Sequence, residues 1–210
     1  IYSRLRDDQR FNVDIMNNWD ESIANTNNQS TDHGGGYRRY YDYELVREIN
    51  LFLNNLDRYG GKLNPLDRDF FKAEARFLRA YTYFMMVKNM GGIPLVTETF
   101  DYDESADFTN YRIPRSKEAD VYEFIRSELD EIKEELDVRD GNMNPVRNRA
   151  SKGAALALKC RAMLYAGSIA KYNATRPDLS LTLPGGETGI PESQADYFYG
   201  QAVDAANELR

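Results

Sequence analysis

Cysteine, tryptophan and histidine each occur once in 210 residues, and each scarcity closes off a chemistry. A lone Cys160 makes no internal disulfide and no zinc framework. Set among Leu156, Leu158, Ala162 and Met163 on an expected helix, it reads as a small packed apolar residue. No run of about 18 apolar residues occurs, so nothing here spans a membrane as a helix. Positive charge is also in short supply. The formal net charge is −7 with no evident basic patch, which disfavours nucleic acid as a partner. The same acidity disfavours loose adhesion to anionic lipid. Strand patterning is nearly missing as well: only Phe11, Val13 and Ile15 alternate with polar residues.

What remains suits a helical protein with a real core. Hydrophobic content is 41% and charged content 29%, over a length that fits one domain and is marginal for two. The 15 tyrosines are enough to fill a core and still leave several at a surface. The chain does not begin with Met, and residue 210 falls within an expected helix. It therefore reads as one helical domain over 1–210 cut from a longer chain, and missing targeting signals say nothing.

The organising stretch is residues 72–96. Ala73, Phe77, Ala80, Phe84 and Val87 form one apolar stripe at helical spacing, and Leu78, Tyr81 and Met85 form a second beside it. Two adjoining stripes require burial against more than one neighbour. Asn64 is placed to cap the helix, Pro65 fits its first turn, and Gly91-Gly92 ends it. From 67 to 90 the rod is roughly 36 Å long. Ala73-x3-Phe77-x2-Ala80 has the small–large–small spacing of the second helix of a tetratricopeptide-type repeat.

Four further helices are expected. One runs over 40–59 with Leu45, Ile49, Phe52 and Leu56 on one face. Another starts at an N-cap Ser116, carries Glu118 and Asp120 in its first turn, and places Tyr122, Ile125, Leu129, Ile132 and Leu136 on one stripe. A third begins at Ser151 and runs to about 172, and a fourth covers 197–210. Long loops separate them: an Asn-rich stretch over 17–36, an acidic aromatic one over 99–112, and 176–193 with three prolines. The fold class is all-α, a tetratricopeptide-like stack with long decorating loops and minimal β.

Several pieces, in order along the chain, resemble the SusD/RagB family. They are Ala73 through Phe84 followed by Gly91-Gly92-Ile93-Pro94-Leu95, Asp20-Glu21, Ile49-Asn50, Ile113-Pro114-Arg115-Ser116 before Val121-Tyr122, and Ala154-Ala155 through Leu164-Tyr165. The resemblance implies a non-catalytic outer-membrane lipoprotein at the cell surface. It also implies glycan capture on tetratricopeptide-like helix pairs, and delivery to a SusC-like TonB-dependent transporter. No cofactor or metal is implied. The membrane link would be a lipidated N-terminal cysteine outside this segment, which Cys160 is not.

Catalytic readings fail on the residues themselves. His33-Gly34-Gly35-Gly36 matches an esterase oxyanion motif, but no G-x-S-x-G nucleophile elbow accompanies it. Asp101, Asp103, Ser105 and Asp107 alternate like the start of an EF-hand, yet Ala106 and Arg112 stand where Gly and Glu are needed. An irregular calcium site from these carboxylates stays open. A glycosidase needs two carboxyls roughly 5 to 9.5 Å apart across a cleft. Glu128, Glu131, Glu134 and Glu135 look instead like a solvated helix face.

Sugar binding calls for aromatic faces edged by hydrogen-bonding groups. Asn17-Asn18-Trp19-Asp20-Glu21 and Tyr37-Arg38-Arg39-Tyr40-Tyr41 supply both. The candidate glycan site is therefore Asn18, Trp19, Asp20, Tyr37, Arg39, Tyr40 and Tyr41, with Tyr102 and Tyr111 as further candidates. Two readings of Trp19 remain: a sugar platform, or a plug that seats the loop on the helices. A protein-binding scaffold without a sugar site is the alternative function.

Overall fold

The computed structural model describes residues 2–5, 40–100, 107–136, 149–175 and 182–210. Within them lie five α-helices and no strand: α1 (Tyr43–Tyr59), α2 (Pro65–Met90), α3 (Glu118–Ile132), α4 (Lys152–Thr175) and α5 (Ala195–Leu209). The expected strand through Phe11, Val13 and Ile15 lies outside the described residues.

Capping explains most of the starts. The Asn64 side chain accepts from the Leu66 amide at 3.1 Å with Pro65 next in line, and Ser151 Oγ accepts from the Ala154 amide at 3.2 Å. α1 begins three residues later than the expected 40, because Asp42 caps it by accepting from the Leu45 amide at 3.0 Å. Ser116 does not cap α3. Lys117 takes that position without a side-chain bond. One of the free amides of the first turn, that of Glu118, donates instead to the Gly186 carbonyl at 2.9 Å.

α2 lies at the centre of the stack. Consecutive helices pack on one another in chain order, and α2 also touches α4. On one side Ala75 and Leu78 meet Leu45 and Ile49 of α1. On the other, Ala73, Ala80, Tyr83, Phe84 and Val87 join Val121, Ile125 and Leu129 of α3 and Ala162 and Met163 of α4. Phe77 is half-buried and packs against both clusters. Of the second expected stripe only Leu78 meets α1, whereas Tyr81 and Met85 pack with the first stripe in the larger cluster. Each fully buried large side chain contributes about 1.5–3 kcal/mol. The α3 stripe from Tyr122 to Leu136 is buried throughout. Cys160 is half-buried against the same core.

Two residues depart from the stripe pattern. Phe52 sits on the expected α1 face yet is 39% exposed. Glu128, expected in solvent, is only 7% exposed. Arg79 explains it: this arginine on α2 is itself 6% exposed, and its Nη2 donates to Glu128 Oε2 at 2.8 Å. Apolar periodicity cannot signal a charge buried by a partner on another helix.

Gly91 and Gly92 close α2 in a crowded place. Gly91 has φ +72°, a conformation glycine adopts without strain. A Cβ on Gly92 would lie 2.0 Å from the Ser116 carbonyl oxygen. The space is occupied by the 116–118 backbone and by the segment at 187, which crosses over the helix end. There the Gly92 amide donates to the Glu187 carbonyl at 2.6 Å. Arg115 donates to the Gly92 carbonyl at 2.8 Å and to the Met90 carbonyl at 2.9 Å.

Candidate carbohydrate-binding cleft

After Gly92 the chain runs without helix or strand through 93–99, passing beside α1 and α2. No strand pairs with this strap, so its backbone polar groups need other partners. Side chains supply them. Tyr43 Oη donates to the Pro94 carbonyl at 2.7 Å. Asn50 Nδ2 donates to the Val96 carbonyl at 3.0 Å and to the Glu98 carbonyl at 3.3 Å. The Tyr83 hydroxyl accepts from the Val96 amide at 2.7 Å and donates to its carbonyl at 3.0 Å. Burial pushes that hydroxyl up to about 12, so it stays protonated and able to donate. Arg79 Nη1 reaches the Thr97 carbonyl at 3.1 Å, and Asn54 Nδ2 reaches Thr99 Oγ1 at 3.2 Å.

The strap forms one side of an open cleft of about 360 Å³. Its lining includes Tyr43 and Arg47 of α1, Glu98, Thr99 and Phe100 of the strap and its continuation, and Tyr111. The rings come in two pairs. Tyr41 stacks on Tyr43 with centroids 6.3 Å apart and planes 21° from parallel. Phe100 meets Tyr111 edge to face at 6.3 Å. Phe100 is 54% exposed and presents ring surface at the cleft. Flat apolar faces beside a guanidinium, a carboxylate and a hydroxyl form the surface that a sugar ring needs.

Of the residues singled out from sequence, Asn18, Trp19, Asp20, Tyr37 and Arg39 lie outside the described residues, as does Tyr102. Tyr40 packs half-buried against the main core. Tyr41 is 44% exposed and stacks on a cleft residue. Tyr111 lines the cleft itself. Tyr43, Arg47, Glu98, Thr99 and Phe100 escaped the sequence reading because they are spread over a helix face and a loop. Only the strap brings them together.

A second groove of about 620 Å³ lies along α1 and α2, lined by Phe52, Leu56, Leu63, Phe71 and Leu78. At its polar end, Tyr2 Oη donates to Glu74 Oε1 at 2.5 Å. Arg149 Nε donates to the same oxygen at 2.7 Å.

Comparison with known proteins supplies the deciding observation. Residues 2–164 match a SusD-like family model described as starch-binding and associating with the outer membrane. The chain belongs to the SusD-like family. A SusD homolog from Bacteroides thetaiotaomicron is 22% identical, with 80% of this chain covering 30% of that one at TM-score 0.53. Surface glycan-binding protein A from Bacteroides uniformis is 18% identical, with 70% covering 34% at TM-score 0.51. A SusD-like protein from Bacteroides fragilis is 28% identical, with 66% covering 26% at TM-score 0.49. This SusD-like chain therefore spans about a quarter to a third of the length of the solved structures it matches. No curated protein sequence matches it significantly.

SusD-like carbohydrate-binding proteins are non-catalytic, and that sets the hydrolase readings aside. His33 and the run 101–105 lie outside the described residues. Among the described residues of this SusD-like chain, no three His, Cys, Asp or Glu side chains are grouped to hold a metal ion. None of the described helices is long and apolar enough to cross a membrane.

Proposed function

We propose that this chain is the helical part of a cell-surface, lipid-anchored glycan-binding protein. It binds oligosaccharide without catalysis and delivers it to a SusC-like TonB-dependent transporter in the outer membrane. The observation that carries this reading is the cleft lined by Tyr43, Phe100 and Tyr111, set in a chain of a carbohydrate-binding family. We take residues 1–210 as one helical unit, with α1 to α5 as platform and the strap and loops as the ligand face. Tyr41, Tyr43, Phe100 and Tyr111 supply ring faces, and Arg47, Glu98 and Thr99 supply hydrogen bonds. Asn18, Trp19, Asp20, Tyr37, Arg39 and Tyr40 are assigned to the same ligand face on their residue types.

Affinity electrophoresis of the full-length protein in gels containing soluble starch, laminarin and other polysaccharides tests the reading. Wild type runs beside Trp19→Ala, Tyr43→Ala and Phe100→Ala, with circular dichroism checking the fold. Retardation by one glycan that is lost in the folded cleft variants supports the assignment. Retardation untouched by all three keeps the function and removes these residues from the site. No retardation in any gel refutes the carbohydrate reading. The second reading, a protein-binding scaffold, then takes over, supported by the apolar groove along Phe52, Leu56 and Leu63.

A further inference from the structure

Arg79 and Asn50 are costly residues to bury. Their side chains sit where α1, α2 and α3 meet, and an aliphatic pair of similar volume would hold the three helices together with no desolvation cost. What the polar pair adds is direction. Arg79 Nη2 is anchored on Glu128 Oε2 at 2.8 Å. That leaves Nη1 to bridge Asn50 Oδ1 at 2.9 Å and the Thr97 carbonyl at 3.1 Å. The guanidinium fixes the Asn50 amide with its oxygen inward, so its nitrogen faces the carbonyls of Val96 and Glu98. Tyr83 holds both backbone groups of Val96. Val96 and Glu98 line the cleft themselves, and Thr99 and Phe100 follow directly.

We propose that Arg79, Asn50 and Tyr83 are positioning residues for carbohydrate binding. None of them lines the cleft. Together they hold the 93–99 strap at the height and rotation that put Glu98, Thr99 and Phe100 in one cleft with Tyr43 and Arg47. The proposal rests on the carbohydrate reading above and adds to it. The binding surface is built from behind, by buried polar side chains of α1 and α2, and the Glu128 carboxylate on α3 orients the guanidinium that does so. Affinity for the glycan therefore depends on residues that never meet it.

The test uses the full-length protein with Tyr83→Phe, which keeps the ring and its edge contact with Phe124 but loses the hydroxyl. Arg79→Lys keeps the charge but loses the fork. Two readouts are taken: hydrogen exchange of the peptide covering 93–100, and retention in soluble starch and laminarin gels. Both variants are expected to raise exchange in the strap about tenfold while α4 and α5 exchange as in wild type. Affinity for the retarding glycan is expected to fall about fivefold to tenfold. Strap exchange equal to wild type in Tyr83→Phe overturns the proposal, and so does a loosened strap with unchanged retention. If wild type itself is retained by no glycan, the carbohydrate reading fails. The exchange result then still decides whether these side chains hold the strap. Should Arg79→Lys not fold, Tyr83→Phe decides alone.

Discussion

Removing the Glu128 carboxylate isolates the charge at the centre of the helical stack. In wild type Glu128 accepts from Arg79 at 2.8 Å and from Arg76 Nη2 at 2.8 Å, and the Arg79 and Glu128 side chains are 7% and 9% exposed. Arg79 Nε is buried and already lacks a partner among the described residues, so the guanidinium has little in reserve. Breaking a buried pair by deleting one member costs roughly 3–5 kcal/mol. Here the lower end applies. Arg79 keeps Asn50 and Thr97, and Arg76, 21% exposed, keeps Glu131 at 2.6 Å. For a chain of this size about 3 kcal/mol lowers Tm by roughly 6–12 °C. Thermal unfolding of Glu128→Ala followed by far-ultraviolet circular dichroism reads that directly. Urea titration should show a lower midpoint with an unchanged slope. The double variant Arg79→Met with Glu128→Leu should recover most of the loss, since it leaves no lone charge behind. A Tm drop below about 3 °C in Glu128→Ala, a loss typical of surface ion pairs, would refute the claim that Arg79 depends on this carboxylate. So would a double variant no more stable than the single one.

Gly92→Ala should cost about 3 kcal/mol in a urea titration, because its Cβ would collide with the Ser116 and Glu187 carbonyl oxygens rather than with a yielding side chain. Glu118 gives a pH signature. Burial lifts its carboxyl above the ordinary 4.5, against the Gly189 amide that donates to it and the nearby Arg115 charge. The folded state then holds the proton more tightly than the unfolded state. Stability from this group is present at low pH and lost as pH rises from 4.5 through the folded value. Glu118→Gln should therefore raise Tm at pH 7, with the gain gone at about pH 4. Phe100→Ala should leave Tm within about 2 °C of wild type, since its ring is half in solvent, while glycan retention falls severalfold. Phe52→Ala, in the other groove, should leave retention unchanged.

The helices were legible in the sequence because their determinants are local. The Asn64-Pro65 start, the Gly91-Gly92 stop and the stripe from Tyr122 to Leu136 all depend on residues within a turn or two of each other. The double stripe of α2 pointed to a broad buried face, but Tyr81 and Met85 join the first stripe in the larger cluster and only Leu78 meets α1. What could not be read was set by partners far along the chain. Glu128 looked solvated because the guanidinium that buries it is 49 positions away. Ser116 looked like a cap because nothing nearby showed the Gly186 carbonyl waiting for the next free amide. Of the residues lining the candidate cleft the sequence singled out only Tyr111, with Tyr41 stacked on Tyr43, whereas Tyr43 and Arg47 read as ordinary members of a helix.

The crossing over the end of α2 has a consequence for the order of assembly. Arg115 and Glu187, which complete that helix end, are 72 residues apart. Closing so long a loop is entropically slow compared with forming α1, α2 and α3, which pack as near neighbours in the chain. The Gly92 amide, just past α2, thus gains its Glu187 acceptor only when the 182–190 segment has been carried back over the helix end. The central helix is nucleated early and sealed late. A chain interrupted before residue 187 would lack α5 as well as this crossing, leaving the Gly92 amide without its carbonyl at the end from which the strap departs.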